Sequence, residues 1–301
     1  MNSKKLLLSL VFLHALILGI AQSEVTINQE ALLENLKILS ADDMEGRLVG
    51  TKGSAKARQF VIEKFKALNV KTINGNFEQD FSFKHDSKEY KAKNVLGMVK
   101  GTKYPNTYIV VSAHYDHEGI KNGVIYNGAD DDASGTSALI AFAEYLQKNP
   151  PKHSVILAAF DAEEFGLLGA EHFVKSDMIN IKKVIANVNM DMISRSDINT
   201  LWVVGPRYYK HLKTVIPNAS DASNFRVKIG HEGLDDKADW TNSSDHAPFH
   251  DKNIPFLFFT VDDHKDYHKP TDDFENIQPD FYIKSVKTII SVFEKIDDFS
   301  L

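Results

Sequence analysis

The chain has 301 residues, of which 43% are apolar and 25% charged, a composition typical of a globular protein. Its net charge of −6 argues against nucleic acid or an anionic membrane surface as the main partner. The sequence has no cysteine, which excludes disulfides, thiol catalysis and cysteine-type zinc sites. Stability must therefore come from a sizeable core.

The N-terminal segment has the pattern of a secretory signal peptide. Lys4 and Lys5 precede the apolar run Leu6–Ile20, and small residues lie next to the expected cleavage point. A membrane anchor is the alternative, but the run is shorter than the roughly 20 residues that a span requires. We therefore predict a signal peptide over residues 1–21 and one domain over residues 22–301. The expected location is exported, either periplasmic or secreted, with no stable membrane partner after processing.

Two amphipathic helices are predicted at the start of the domain. Residues 28–39 show helical apolar spacing behind Asn28, and residues 55–70 form the second helix after a loop. The fragment Gly50–Ser54 has a faint likeness to a phosphate-binding loop. It lacks the required glycine spacing and no strand precedes it, so it is predicted to be a turn that leads into the helix.

Beyond these helices, the pattern changes to alternating strands and helices. Strands are predicted at residues 107–114, 154–160, 184–190, 201–204 and 255–260, and helices at 134–149, 166–176 and 280–296. Continuous apolar strands that alternate with helices indicate a mostly parallel, mixed central sheet with helices on both faces. No Pro- or Ser-rich linker divides the chain, so the fold class is predicted to be α/β with a single domain.

The unusual polar residues follow these strands, at the edge where open α/β sheets form their sites. The polar segments are His114–His117, the aspartate triplet 130–132, Asp161–Glu164, Asn189–Met192 and Val261–Asp273. Histidine and carboxylate ligands without cysteine suit zinc or another divalent ion. Five separate segments each offer a candidate, which is more than one metal requires. Two metals that share one carboxylate, and that each have two further ligands, would use all five candidates.

In this arrangement the sequence resembles the two-zinc M28 aminopeptidases, a branch of the zinc exopeptidases. The matching segments are HYD at 114–116, NGADDDASG at 127–135, DAEE at 161–164, NMDM at 189–192 and YHKPTDD at 267–273. The resemblance covers nearly all of the predicted domain and implies an exopeptidase that removes N-terminal residues from peptides. It is to the bacterial type without a protease-associated domain, because residues 77–101 are too few to contain one.

The resemblance implies a metal ligand in each matching segment. His114 and Asp191 would hold one zinc ion, Glu164 and His268 would hold the other, and Asp131 would bridge the two. The implied cofactor is thus two Zn²⁺ ions per chain. The family also implies a cis peptide bond immediately after the bridging residue.

The resemblance further implies two catalytic residues and two supporting ones. Glu163 would be the general base, and Tyr267 would donate a hydrogen bond to the oxyanion. Asp116 would accept a hydrogen bond from His114 and thereby fix its tautomer, and Asp132 would support the turn after the bridge.

Five positions stay open at this point. His264 lies four residues from His268 and is an alternative ligand, although the Tyr before His268 and the PTDD after it favour His268. Asp130 has no assigned role and is compatible with a solvated turn. Asp245 and His246 match a family loop near the substrate pocket, but turn chemistry explains them equally well. His117 matches the family pattern without being a ligand there.

Three other functions are alternatives to the aminopeptidase. A glutaminyl cyclase, a transferase related in fold, would work through one zinc ion and would not need all five ligands. A carboxypeptidase would need a cation for the substrate's α-carboxylate, and a receptor or scaffold domain should have lost ligands or the base. The expected partners are therefore peptide substrates, with no nucleic acid and no stable membrane partner, and a monomer is expected.

Overall fold

The structure is a computed structural model that describes residues 25–217 and 224–299, so the predicted signal peptide lies outside the described residues. Its helices are α1 Gln29–Leu39, α2 Lys52–Ala67, α3 Gly135–Lys148, α4 Leu168–Lys175, α5 Ala247–Asp251 and α6 Pro279–Asp297. Among the described residues, none of these helices combines the length and apolar character that a membrane crossing requires.

The first two helices begin at side-chain caps. Asn28 accepts a hydrogen bond from the Ala31 amide at 3.1 Å, and Thr51 accepts one from the Ser54 amide at 3.3 Å. The second helix therefore begins at Lys52, three residues earlier than the apolar pattern predicted. Of the fragment Gly50–Ser54, only Gly50 and Thr51 form the expected turn before the helix, and the other three residues lie in its first turn.

Eleven strands are present in the described part of the chain. They are β1 Lys71–Thr72, β2 Glu78–His85, β3 Lys88–Val99, β4 Tyr104–His114, β5 Gly119–Lys121, β6 Val124–Tyr126, β7 His153–Phe160, β8 Val184–Met190, β9 Thr200–Val204, β10 Arg226–Ile229 and β11 Phe256–Thr260. The five predicted strands match β4, β7, β8, β9 and β11, with their bounds shifted by at most three residues.

One mixed sheet contains all of these strands except the small hairpin of β5 and β6. Its order is β1-β3-β7-β4-β8-β11-β9-β10, and β2 pairs with β3. The four central strands β7, β4, β8 and β11 are parallel to one another, whereas β3 and β9 flank them in the antiparallel direction. The prediction of a single-domain α/β fold around a mixed sheet with a parallel centre is confirmed.

Both faces of the sheet are covered, because successive side chains of a strand point to opposite faces. On β4, Ile109 and Val111 pack into the core that α1, α2, α3 and α6 share. Val110 points to the other face, where a second core contains residues of α4 and α5. Each fully buried aliphatic side chain of this kind contributes about 1.5–3 kcal/mol.

The β2–β3 hairpin was not predicted. Its strands carry many charged residues, and most positions of β2 are partly buried or exposed, so it lacks the apolar run of the central strands. The hairpin fills most of the interval 77–101, which agrees with the expectation that no further domain is inserted there.

The carboxyl ends of the central strands lie level with one another. His114 at the end of β4 pairs with Phe160 at the end of β7, and Met190 at the end of β8 pairs with Phe259 of β11. The polar segments that follow these strands therefore begin at one edge of the sheet.

Candidate metal centre

The five predicted ligands converge at that edge in two groups. In the first group, His114 Nε2 lies 3.3 Å from Asp131 Oδ1 and 3.5 Å from Asp191 Oδ1. In the second, His268 Nε2 lies 3.1 Å from Asp131 Oδ2 and 3.3 Å from Glu164 Oε2. Zinc bonds of about 2.0–2.1 Å in a tetrahedral arrangement place neighbouring ligand atoms about 3.3 Å apart. Asp131 thus presents one oxygen to each group, which is the geometry of a bridging ligand.

Two of these atoms make no hydrogen bond. They are His114 Nε2 and Asp191 Oδ1, and both are buried. A buried polar atom left unsatisfied costs about 1–3 kcal/mol, and more if it is charged. A divalent cation between the imidazole and carboxylate groups would satisfy these atoms, so the donor set fits zinc.

Sharp backbone turns direct the ligand segments into the site. Ala162, Met192 and His268 have left-handed φ values of 59°, 57° and 52°, a conformation that is uncommon for residues other than glycine. Ala162 immediately precedes the Glu163–Glu164 pair, and Met192 immediately follows Asp191. Such conformations concentrate at functional sites, where the surrounding packing holds them in place.

Asp116 supports the centre in a different way from the one predicted. His114 Nδ1 lies 3.1 Å from the carbonyl oxygen of Asp116, whereas the nearest carboxylate oxygen is 3.7 Å away, beyond hydrogen-bond distance. The carboxylate instead accepts the amides of Glu163 at 3.1 Å and Glu164 at 3.4 Å. A carbonyl oxygen only accepts, so Nδ1 donates and the lone pair of Nε2 is left for a metal.

Asp132 accepts hydrogen bonds from three separate segments of the chain. Its oxygens accept the amides of His114 at 3.2 Å, Gly135 at 2.8 Å and Met192 at 3.2 Å. Although Asp132 also lies close enough to His114 and Asp191 to join a metal group, its oxygens are already engaged by main-chain donors. It has the supporting contacts predicted for it, and the peptide bond from Asp131 to Asp132 is cis, as the resemblance implies.

Asp130 is fully buried, so the interpretation as a solvated turn residue is wrong. One of its oxygens accepts both the amide and the hydroxyl of Ser194, each at 2.7 Å. The other faces His264 Nε2 at 3.0 Å. Since His264 Nδ1 accepts the Asp266 amide at 3.2 Å, both nitrogens of His264 are occupied. The geometry therefore favours His268 over His264 as the ligand.

Alanine variants of these two histidines should behave differently. We expect His268→Ala to lose one metal ion per chain, because it removes a ligand atom. His264→Ala should keep its metal content but lower the free energy of unfolding by about 1–3 kcal/mol, because it leaves an oxygen of Asp130 buried and unpaired. Metal analysis and denaturant unfolding of both variants check this. Loss of metal from the His264 variant alone would reverse the assignment.

Two further residues of the centre were not assigned from the sequence. Asp272 accepts the amides of Asp130 at 3.0 Å and Asp131 at 3.1 Å, and it lies within the quoted YHKPTDD segment. His117 is fully buried, and its Nδ1 lies 2.7 Å from Glu164 Oε1. That separation is shorter than the about 3.3 Å between neighbouring ligands of a tetrahedral zinc ion, so His117 is a neighbour of Glu164 rather than a ligand beside it.

A cleft of ≈ 190 Å³ opens onto the two groups. Glu163 and Tyr267 both line it, next to their neighbours Glu164 and His268 in the chain. Burial raises the pKa of Glu163 well above its usual value, which strengthens the carboxylate as a proton acceptor. Burial, together with nearby carboxylates, raises the pKa of Tyr267, so its hydroxyl stays protonated and able to donate.

The SSDHAPFH segment forms part of the cleft wall. His246 Nε2 donates to the carbonyl oxygens of Trp240 at 3.1 Å and Thr241 at 3.0 Å, and its ring stacks on Phe258. Burial lowers the pKa of His246 to about 3, so the ring is neutral. Trp240 and Phe258 both line the cleft, so His246 fixes the wall, and the segment belongs to the pocket rather than to an isolated turn. Asp245, beside it, is fully buried.

The fold and the site together define a class: an α/β protein with a histidine–carboxylate metal centre at the carboxyl edge of a mixed sheet. The family model described as Peptidase family M28 matches residues 94–293. The chain therefore belongs to the M28 peptidase family.

Two relatives illustrate the sequence similarity. Aminopeptidase YwaD of Bacillus subtilis (strain 168) is 30% identical over 203 residues, which cover 62% of this chain and 40% of YwaD. The probable glutamate carboxypeptidase VP8 of Zea mays is 32% identical over 118 residues, which cover 37% of this chain and 16% of VP8. The chain thus matches less than half the length of either relative.

Solved structures share the fold. BSAP, a zinc aminopeptidase from Bacillus subtilis, superposes with a TM-score of 0.71 at 17% identity, covering 91% of this chain and 96% of BSAP. The glutaminyl cyclase of Porphyromonas gingivalis superposes with a TM-score of 0.74 at 15% identity, covering 90% and 99%. At such identities the likeness concerns the fold alone.

Proposed function

We propose that this protein is a metal-dependent aminopeptidase that holds two zinc ions and removes N-terminal residues from peptides. The observation that carries the proposal is the position of Asp131, whose two oxygens face two separate groups of ligand atoms. Membership of the M28 family and relatives named aminopeptidase and zinc metalloprotease support it.

The side chains in the cleft have the properties that peptide hydrolysis needs. Bound zinc would activate a water molecule and polarise the scissile carbonyl group. Glu163 accepts the proton of the attacking water and then delivers it to the leaving amine. Tyr267 donates a hydrogen bond to the carbonyl oxygen as that oxygen gains negative charge.

The charge of the cleft favours a free amino terminus over a free carboxylate. Besides the metal groups, Glu163 and Asp263 line it, and no Lys or Arg is among the lining residues in the described part of the chain. A carboxypeptidase needs a cation for the substrate's α-carboxylate. The substrate's ammonium group suits this cleft better.

A glutaminyl cyclase is the second candidate, because cyclases are among the structures that share this fold. Metal analysis of the purified protein and a panel of substrates separate the two functions. We expect two zinc ions per chain and release of a free N-terminal residue, such as leucine, from chromogenic amides. One metal per chain with cyclisation of an N-terminal glutamine would establish the cyclase instead.

We also propose that the protein is exported and acts as a monomer on peptides. The basic start and apolar run of the N-terminal segment support export. N-terminal sequencing of protein recovered outside the cytosol should begin at Gln22, and a retained Met1 would contradict processing. Light scattering of the mature protein should give the mass of a single chain.

A further inference from the structure

Arg47 is a fully buried arginine in the short turn Asp42–Arg47 between α1 and α2. In the sequence it falls in the loop between the first two predicted helices. A buried guanidinium group is costly unless it is hydrogen-bonded and faces negative charge, so its surroundings need an explanation.

The guanidinium group of Arg47 bonds only to main-chain carbonyl oxygens among the described residues. Nε donates to Tyr115 at 2.8 Å, and Nη1 donates to Leu39 at 2.8 Å and Asn127 at 2.5 Å. Nη2 donates to Gly128 at 2.9 Å, with a longer contact of 3.4 Å to Asp131. One side chain thus joins the end of α1, the end of β4 and the loop that leads to the bridging carboxylate.

These acceptors lie next to the metal groups in the chain. Tyr115 directly follows His114, and Asn127 and Gly128 begin the turn that ends in Asp131. The guanidinium group of Arg47 presents a rigid, planar fork of N–H donors, and it holds the carbonyl groups of both segments. It thereby sets the separation between His114 and Asp131. Lysine offers a single point charge on a flexible stem and cannot reproduce this fork.

Burial lowers the pKa of the Arg47 guanidinium group, and carboxylates of the same centre offset that effect in part. The carboxylates of the site that act on it are Asp131, Asp132, Asp272 and Asp116. None of them is a hydrogen-bond partner of the guanidinium group, so the compensation acts through space. Arginine remains protonated in proteins, so the charge is permanent.

We infer that Arg47 is a positioning residue of the metal centre, which holds the Tyr115 and Asn127–Asp131 segments at the separation that metal binding needs. The inference rests on the proposed metal centre but not on the reaction that it catalyses. The hydrogen bonds of Arg47 go to backbone carbonyl oxygens and not to the ligand atoms, so Arg47 acts through the backbone of the residues that would hold the metal.

The test compares zinc affinity in apoprotein variants by competition with a chelator. Arg47→Met keeps the apolar stem and removes the fork and the charge, and we expect zinc binding to weaken by about 10–100-fold, as for other supporting partners of metal ligands. Arg47→Lys restores the charge without the fork and should recover only part of the loss. If Arg47→Met does not fold, Arg47→Lys carries the comparison by itself.

The control is Ile290→Ala, which removes buried apolar volume from α6 and should lower stability without changing zinc affinity. Circular dichroism confirms folding, and thermal unfolding of the apoproteins measures stability. Wild-type zinc affinity in folded Arg47 variants would overturn the inference, as would an equal loss of affinity in Ile290→Ala. Zinc binding by wild type without peptide cleavage would refute the proposed activity and leave this inference standing.

Discussion

Replacing Glu163 by glutamine is expected to lower turnover by about 10²–10⁴-fold, the usual contribution of a positioned general base. Glutamine has nearly the same shape but cannot accept the proton of the attacking water. The backbone amide of residue 163 would still donate to the Asp116 carboxylate, so the local backbone should be unchanged. Measuring kcat together with metal content checks the prediction, and both metal ions should remain bound.

Glu164→Gln provides the matched control one position along the chain. Glu164 Oε2 lies 3.3 Å from His268 Nε2 in the second ligand group, so this variant should lose zinc affinity. Part of its activity should return when excess zinc is supplied. If the Glu163 variant lost its metals and the Glu164 variant kept them, the roles of the two residues would be exchanged.

The central sheet could be predicted from the sequence because its strands are buried on both faces. β7 and β11 are buried at every position and β8 at all but one, which produces continuous apolar runs that are hard to mistake. β2 and β3 form at the edge of the sheet, where water contacts one side and charged residues are tolerated. Their pairing depends on an antiparallel neighbour that a local pattern does not reveal.

The candidate ligands could be predicted because each directly follows a strand or lies in a matching motif. The supporting residues could not, because their function depends on burial and on distant partners. Arg47 bonds to carbonyl oxygens 68 and 81 residues away, and Asp130 faces a histidine 134 residues away. A buried arginine and a surface arginine look alike in a sequence, and only packing distinguishes them.

Asparagine substitutions across the aspartate triplet should separate its three roles. Asp131→Asn replaces one bridging oxygen with an amide nitrogen that cannot coordinate, so we expect the loss of at least one zinc ion per chain. Its zinc affinity should fall by more than the about 10–100-fold typical of supporting residues. Metal analysis and chelator competition measure both quantities, and peptide cleavage should fall with the metal content.

The two neighbours of Asp131 are its controls, since all three variants remove one charge from the same turn. Asp130→Asn should keep two metals and lower the free energy of unfolding by about 1–3 kcal/mol, because an amide group then faces His264. Asp132→Asn should be destabilised to a similar extent and bind zinc more weakly, because Asp132 accepts the amide of His114. If all three variants lost metal equally, the triplet would act only through its summed charge, and Asp131 would have no separate role as a bridge. The opposite orientation of its two oxygens, toward His114 and His268, is the physical reason to expect otherwise.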